Sequence, residues 1–199
     1  MRAVIADMPT NWVKERFSTE FAQWDEMWEG VLHVPPMPNR VHQDFEMDLG
    51  NILKWKWGRP KGNRVHHQVN LTTPDDEERW TKNYRIPDLV LLTPDRFHID
   101  KCDYMAGAPL VCVEIFSPGD ESYEKLPFYA SLGVPEVWIV HRDTKVPTIF
   151  VLAAGSYSKI EPEAEGWFVS PATGIGLRQT ESNTLKIRIQ GKVEAEIPA

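Results

Sequence analysis

Cysteine is nearly missing from this sequence: of its 199 residues only two, Cys102 and Cys112, are thiols. Two thiols at that spacing make neither a disulfide framework nor a CxxC zinc site, so both are expected to be structural. Long apolar runs are missing as well. No stretch approaches the roughly 20 residues that a membrane-spanning helix needs, and "MRAVIADMPTNWVKERF" has no signal-peptide core or cleavage site. The expectation is a soluble, cytoplasmic protein with no membrane partner. Positive charge is also scarce: 22 Lys and Arg stand against 29 Asp and Glu, a net charge of −7. The molecule as a whole therefore lacks the basic field with which nucleic-acid binders attract phosphates. A local groove is still open to it, because Lys54, Lys56, Arg59, Lys61 and Arg64 gather in "KWKWGRPKGNR". That cluster fits equally a solvated helix end, where cations suit the C-terminal pole of the helix dipole. Repeats, low-complexity segments and Pro/Gly/Ser-rich linkers are absent too. One domain over 1–199 is expected, with a short N-terminal extension over about 1–17.

What is present reads as an ordinary globular chain, 42% hydrophobic and 26% charged. Ser18 or Thr19 can cap a short helix through "EFAQWDEM", and "WEGVLHVPP" reads as strand, turn and strand around Glu29 and Gly30. In "NRVHQDFEMDLGNILKWKW", Val41, Phe45, Leu49, Ile52, Leu53 and Lys56 fall near helical spacing, with Asn39 as cap and Gly58 as stop. "RVHHQVNLT" alternates weakly, whereas "PDLVLL" and "APLVCVEIF" are apolar without alternation, which predicts strands buried on both faces in mid-sheet. "TPDRFHIDKCDYMAGA" between them reads as a loop or a wide hairpin connection. A helix is predicted over Ser122 to Leu132, with Pro127 in its first turn and Gly133 closing it. "VPEVWIVHR" and "TIFVLAA" form a hairpin, and the tail adds short antiparallel strands. The sum is an α+β fold around a mixed central sheet.

Three residues carry the chemistry. Asp88 heads one apolar strand and Glu114 interrupts another, and burying two unpaired carboxylates near each other is costly. A divalent cation such as Mg²⁺ would resolve the conflict while keeping waters for reaction, if the two strands are neighbours. Lys125, eleven residues beyond Glu114, opens the next helix and could reach the same spot to orient a water or stabilise phosphoryl charge. Each residue also has a plain structural reading: Asp88 as a strand start, Glu114 paired with an arginine such as Arg85, Lys125 as a surface charge. His42 and Glu46 share a helix face at i, i+4 and could both approach an ion there. His66 and His67, adjacent on a strand, face opposite ways and are not expected to ligate together. Of the eight tryptophans, Trp138 and Trp167 read as core or rim, and Trp55 and Trp57 as the better surface candidates.

"RIPDLVLL", "VEIFSPGDESYEKLPFYASLGVPEVWIV" and "EGVLHVPP" followed by "HQ" together resemble the bacterial Uma-type restriction endonuclease family of the PD-(D/E)XK nuclease superfamily. The likeness runs from about Trp24 to the C-terminus. It implies a restriction-endonuclease-like αβββαβ core and Mg²⁺-dependent hydrolysis of phosphodiester bonds, with DNA the expected substrate and Mn²⁺ able to substitute; a separate reading is a metal-dependent hydrolase of another phosphodiester, such as RNA. It further implies Asp88, Glu114 and the backbone carbonyl of Ile115 as metal ligands. The superfamily's usual lysine would fall on Phe116, and Lys125 is the matching residue of this family. His42 and Glu26 each match a family position, either in a structural or hydrogen-bonding role or as a support of the site. His141 stands where Asp is common, an exchange expected to affect packing or a turn more than chemistry. A homodimer is expected, meeting through the C-terminal strands. The competing reading is a catalytically silent scaffold that keeps the nuclease fold.

Overall fold

The computed structural model describes residues 3–6, 15–16 and 19–198. Strands β1 (Ala3–Ile5), β2 (Glu26–Trp28) and β3 (Val31–Val34) precede helix α1 (Arg40–Ile52). Then come β4 (Arg64–His67), β5 (Leu71–Thr72), β6 (Tyr84–Arg85), β7 (Leu89–Leu92), β8 (Met105–Ala106) and β9 (Val111–Phe116). Helix α2 (Leu126–Leu132) leads to β10 (Glu136–His141), β11 (Pro147–Ala153) and β12 (Ser156–Lys159). The chain ends in β13 (Phe168–Val169), β14 (Gly176–Gln179), β15 (Leu185–Ile189) and β16 (Lys192–Ile197).

Three sheets result, in the orders β1-β3-β2-β6-β5-β8, β12-β11-β10-β9-β7-β4 and β13-β14-β15-β16. The second is mixed, since β9 and β10 run parallel while its other pairs are antiparallel. Reading α1, β4, β7, β9, α2, β10 along the chain gives the implied αβββαβ order. The two unalternating runs behave as their composition demands: Leu89 to Leu92 and Val111 to Ile115 are buried throughout, with a helix layer on each face. On one face α1 packs between this sheet and the C-terminal sheet, and on the other α2 sets Phe128 and Tyr129 against Val90 and Cys112.

Local chemistry explains most element ends. Glu29 and Gly30 both take positive φ, 48° and 88°, so the β2–β3 connection is the two-residue turn whose twist suits a hairpin. Asn39 accepts the His42 N–H at 3.0 Å and caps α1. Phe45, Leu49, Leu53 and Trp57 recur every four residues in the core. A four-residue period outruns a 3.6-residue turn, and the helix answers by widening to π geometry over Leu53–Gly58. That widening keeps Trp57 in the core at 2% exposure, against the expectation that it lies at the surface with Trp55. Val41, expected inward, is exposed, and the buried stripe runs through His42, Phe45, Glu46 and Leu49.

Other expectations are corrected in the same physical terms. "EFAQWDEM" is only a 3₁₀ turn, Glu20–Trp24, because Asp25 is extended and its carboxylate is forked onto Arg16, which releases Glu26 into β2. Thr19 makes no side-chain cap, its hydroxyl donating to the Arg16 carbonyl, and Ser18 lies outside the described residues. "RVHHQVNLT" splits into β4 and β5 of different sheets at Gln68, whose φ of 50° turns the chain. The loop after Thr93 contains a 3₁₀ turn, Pro94–Ile99, and the short strand β8. Helix α2 begins at Leu126, after turns over the preceding residues, and ends at Gly133 in the left-handed conformation. From the N-terminal extension, Ala3–Ile5 adds an edge strand beside β3. No described helix is long and apolar enough to cross a membrane.

Candidate metal and phosphodiester site

Strands β7 and β9 are antiparallel neighbours in a register that pairs Leu89 with Val113. One step further along the same register sets Asp88 across from Glu114. Asp88 stands just before β7 begins, and its Oδ2 accepts the Ile115 N–H at 2.6 Å. Its Oδ1 lies 3.1 Å from His42 Nε2, and the other nitrogen of that ring is 3.2 Å from Ser117 Oγ. The same face of α1 brings Glu46 one turn beyond His42. Donor atoms of His42, Glu46 and Asp88 all lie within 4.8 Å of one another.

This trio fits a divalent ion on two grounds. Glu46 is 5% exposed, and while its Oε2 accepts the Gln68 amide at 2.9 Å, its Oε1 has no hydrogen-bond partner and lies 3.6 Å from His67 Nδ1. A buried carboxylate oxygen without a hydrogen bond is costly unless a cation meets it at close range. Burial first, and the Asp88 charge second, push the Glu46 pKa up from 4.5 to about 7. Two carboxylates and an imidazole also form a donor set that divalent ions accept.

Glu114 lies in a second cluster beside the first. Its Oε2 is 3.1 Å from Lys125 Nζ and its Oε1 accepts the Tyr129 hydroxyl at 2.5 Å. Lys125 Nζ also reaches Glu26 Oε1 at 2.8 Å and donates to the Ile86 carbonyl at 3.1 Å, so the ammonium has three acceptors for its three protons. Glu26 is fixed in turn by the Ile86 N–H and the Trp28 indole. Burial is the main force raising the Glu114 pKa to about 8; Lys125 opposes it, and Asp88 and Glu26 add to it. Burial disfavours the Lys125 ammonium, but Glu114 and Glu26 outweigh that and hold its pKa well above the usual value. One cation thus serves two buried carboxylates.

A cavity of about 270 Å³ joins these groups, lined by Glu26, His42, Asp88, Glu114, Ile115 and Lys125, with Glu46 next to it against Gln68. Every residue singled out for the site in the sequence is therefore gathered in one place. Arg85 is not the partner of Glu114: it stacks between Trp28 and Phe128 and donates to the Met27 carbonyl. His141 accepts the Asp143 and Thr144 N–H groups and shapes a turn, as expected. His66 and His67 do not converge, since His67 faces Glu46 at 3.6 Å while His66 Nε2 is buried without a partner. The basic cluster lines none of this cavity; Arg59 stacks on Trp55, Lys56 pairs with Glu194 and Arg64 with Asp100. Sequence reading passed over Tyr129, Gln68, His33 and Glu121. The signal for Tyr129 was its i+4 spacing from Lys125 on the same turn of chain. His33 and Glu121 lay unremarked inside quoted motifs.

Residues 18–184 match the family model Uma2, described as "putative restriction endonuclease". The chain belongs to the Uma2 family. Membership covers the cavity and all the clusters above. A search of curated proteins finds no match. Among solved structures, a "putative nuclease belonging to DUF820" from Anabaena variabilis is similar at 16% identity and a TM-score of 0.58. The match covers 81% of this chain and 90% of that one. At that identity the likeness speaks for a shared fold, the restriction-endonuclease-like one.

Proposed function

We propose that this Uma2 chain is a metal-dependent endonuclease that hydrolyses phosphodiester bonds in DNA. The observation that carries the reading is the convergence of His42, Glu46 and Asp88, with one buried Glu46 oxygen making no hydrogen bond. Asp88, Glu46 and His42 hold the ion, with Glu114 and the Ile115 carbonyl as further ligands. Mg²⁺ is the ion and Mn²⁺ a substitute; when bound it supplies a Lewis acid for the phosphoryl oxygens and lowers the pKa of water. Lys125 and Tyr129 hold Glu114 in place, and Lys125 adds positive charge against the substrate phosphate. Glu26 keeps that ammonium anchored.

The free thiols Cys102 and Cys112 suit a reducing cytoplasm. A homodimer through the C-terminal sheet would present two such sites to two strands.

Purified protein with Mg²⁺ or Mn²⁺ is expected to nick supercoiled plasmid, and Asp88→Ala and Glu114→Ala to abolish the nicking. Undiminished cleavage by both variants would overturn the assignment. One observation favours a silent scaffold instead: all three Lys125 protons are taken, so none is free for a water. Calorimetric titration showing no uptake of either ion would decide for that reading.

A further inference from the structure

Hydrolysis of an alkyl phosphodiester leaves an alkoxide, which needs a proton as the bond breaks. Three nitrogen-bearing side chains of the cavity are already engaged. The Lys125 protons are all engaged, both His42 nitrogens face Asp88 and Ser117, and Arg142 forks its guanidinium onto Asp143.

His33 lies on β3 opposite Glu26 on β2 and lines the same cavity. Its Nδ1 stands 3.0 Å from both carboxylate oxygens of Glu121, four residues before Lys125. Its ring stacks on Trp28 at 4.0 Å and 11° between planes, and the Trp28 indole is itself tied to Glu26 at 2.7 Å. A histidine held by a carboxylate at Nδ1 has its tautomer and orientation fixed, which leaves Nε2 to exchange protons. Holding a ring by face and edge in a 9% exposed position is more than packing requires.

We infer that His33, oriented by Glu121 and Trp28, is the general acid that protonates the leaving oxygen in this site. The inference rests on the proposed nuclease activity. Water oxygen forms the new bond to phosphorus and gives up one proton; the bond to the ester oxygen breaks, and that oxygen takes the Nε2 proton of the His33 imidazolium, leaving the neutral ring with its Nδ1–H on Glu121. The ring then regains the proton that the water released, so one water and one diester give one monoester and one alcohol. Glu121 acts as a positioning residue.

The test compares an oligonucleotide with bis(p-nitrophenyl) phosphate, whose nitrophenolate departs without protonation. His33→Gln is expected to lose about a hundredfold or more in kcat on the oligonucleotide, the usual worth of general acid catalysis, and only a few-fold on the nitrophenyl ester. Glu121→Gln should show the same split, more weakly, with Mn²⁺ binding by calorimetry unchanged in both. Equal losses on both substrates, or none on the oligonucleotide, would refute the role of His33 while leaving the nuclease reading intact. Wild-type protein inactive on both substrates would overturn the nuclease reading and this one with it.

Discussion

Replacing Lys125 by methionine tests the buried charge cluster independently of any activity. The ammonium is 9% exposed and lies 2.8 Å from Glu26, 3.1 Å from Glu114 and 3.1 Å from the Ile86 carbonyl. Methionine fills much of the same volume, so the loss reports on the charge and not on a cavity. Breaking a buried pair by removing one partner costs about 3–5 kcal/mol, whereas an exposed lysine is worth under about 0.5 kcal/mol. Here two carboxylates lose their common cation, which sets the expectation at the upper end of that range at pH 8. The loss should shrink at pH 5, because Glu114, already pushed up to about 8 with Lys125 present, then takes up a proton. Urea denaturation followed by tryptophan fluorescence reads both values. Adding Glu114→Gln to the variant should recover part of the stability, giving a coupling energy that simple loss of packing would not produce. A loss below about 1 kcal/mol at pH 8 would show that the cluster is wetter and weaker than the geometry implies.

The metal-free protein should also invert ordinary acid denaturation over a defined window. Glu46 and Glu114 have folded pKa values, about 7 and about 8, above the 4.5 of an unperturbed carboxyl. The folded state holds their protons where the unfolded chain has released them, so their contribution is intact below about 4.5 and falls as pH climbs toward 7 and 8. Chemical denaturation between pH 5 and 8 should show that decline, and Glu114→Gln should flatten part of it; a rise in stability over that span in the wild type would contradict it. A separate prediction concerns Glu136, which is 1% exposed and accepts the Trp138 indole, the Ser170 hydroxyl and the Ala172 N–H. Glu136→Ala should cost about 1–3 kcal/mol for each donor it strands and loosen the C-terminal sheet first, visible as faster amide exchange in β13 and β14.

Much of this layout was legible because it follows from local rules. Uninterrupted apolar runs at Leu89 and Val111 could only sit in mid-sheet, Asn39 and Gly133 mark helix ends, and a lone carboxylate in "VCVEIF" announced a special environment. What stayed hidden depended on contacts distant in sequence. Nothing in the order of residues says that Lys125 would be claimed by Glu26, 99 positions away, as well as by Glu114. Tyr129 looked like core, and its hydroxyl bond to Glu114 needs the helix docked on the sheet. The split at Gln68 was invisible because a non-glycine residue rarely adopts φ above zero. Glu46 stood out by its helix face, yet the missing hydrogen bond at its Oε1 could be recognised only once its neighbours were in place.

The wide turn at the end of α1 carries a lesson about chain length. Over Leu53–Gly58 the helix holds one residue more than a regular spiral would fit, which amounts to an insertion absorbed without breaking the core. Deleting Lys56 would set the tryptophan three residues after Leu53, a spacing that an ordinary helix also turns to the same side. The hydrophobic contact would survive the shortening, and so would the facing of Arg59 and Trp55, then also three residues apart, while the Lys56 to Glu194 tie would vanish. The surplus residue therefore serves one tie of the basic rim and leaves the interior almost indifferent, so the chain could lose it from its outer face without refolding its centre.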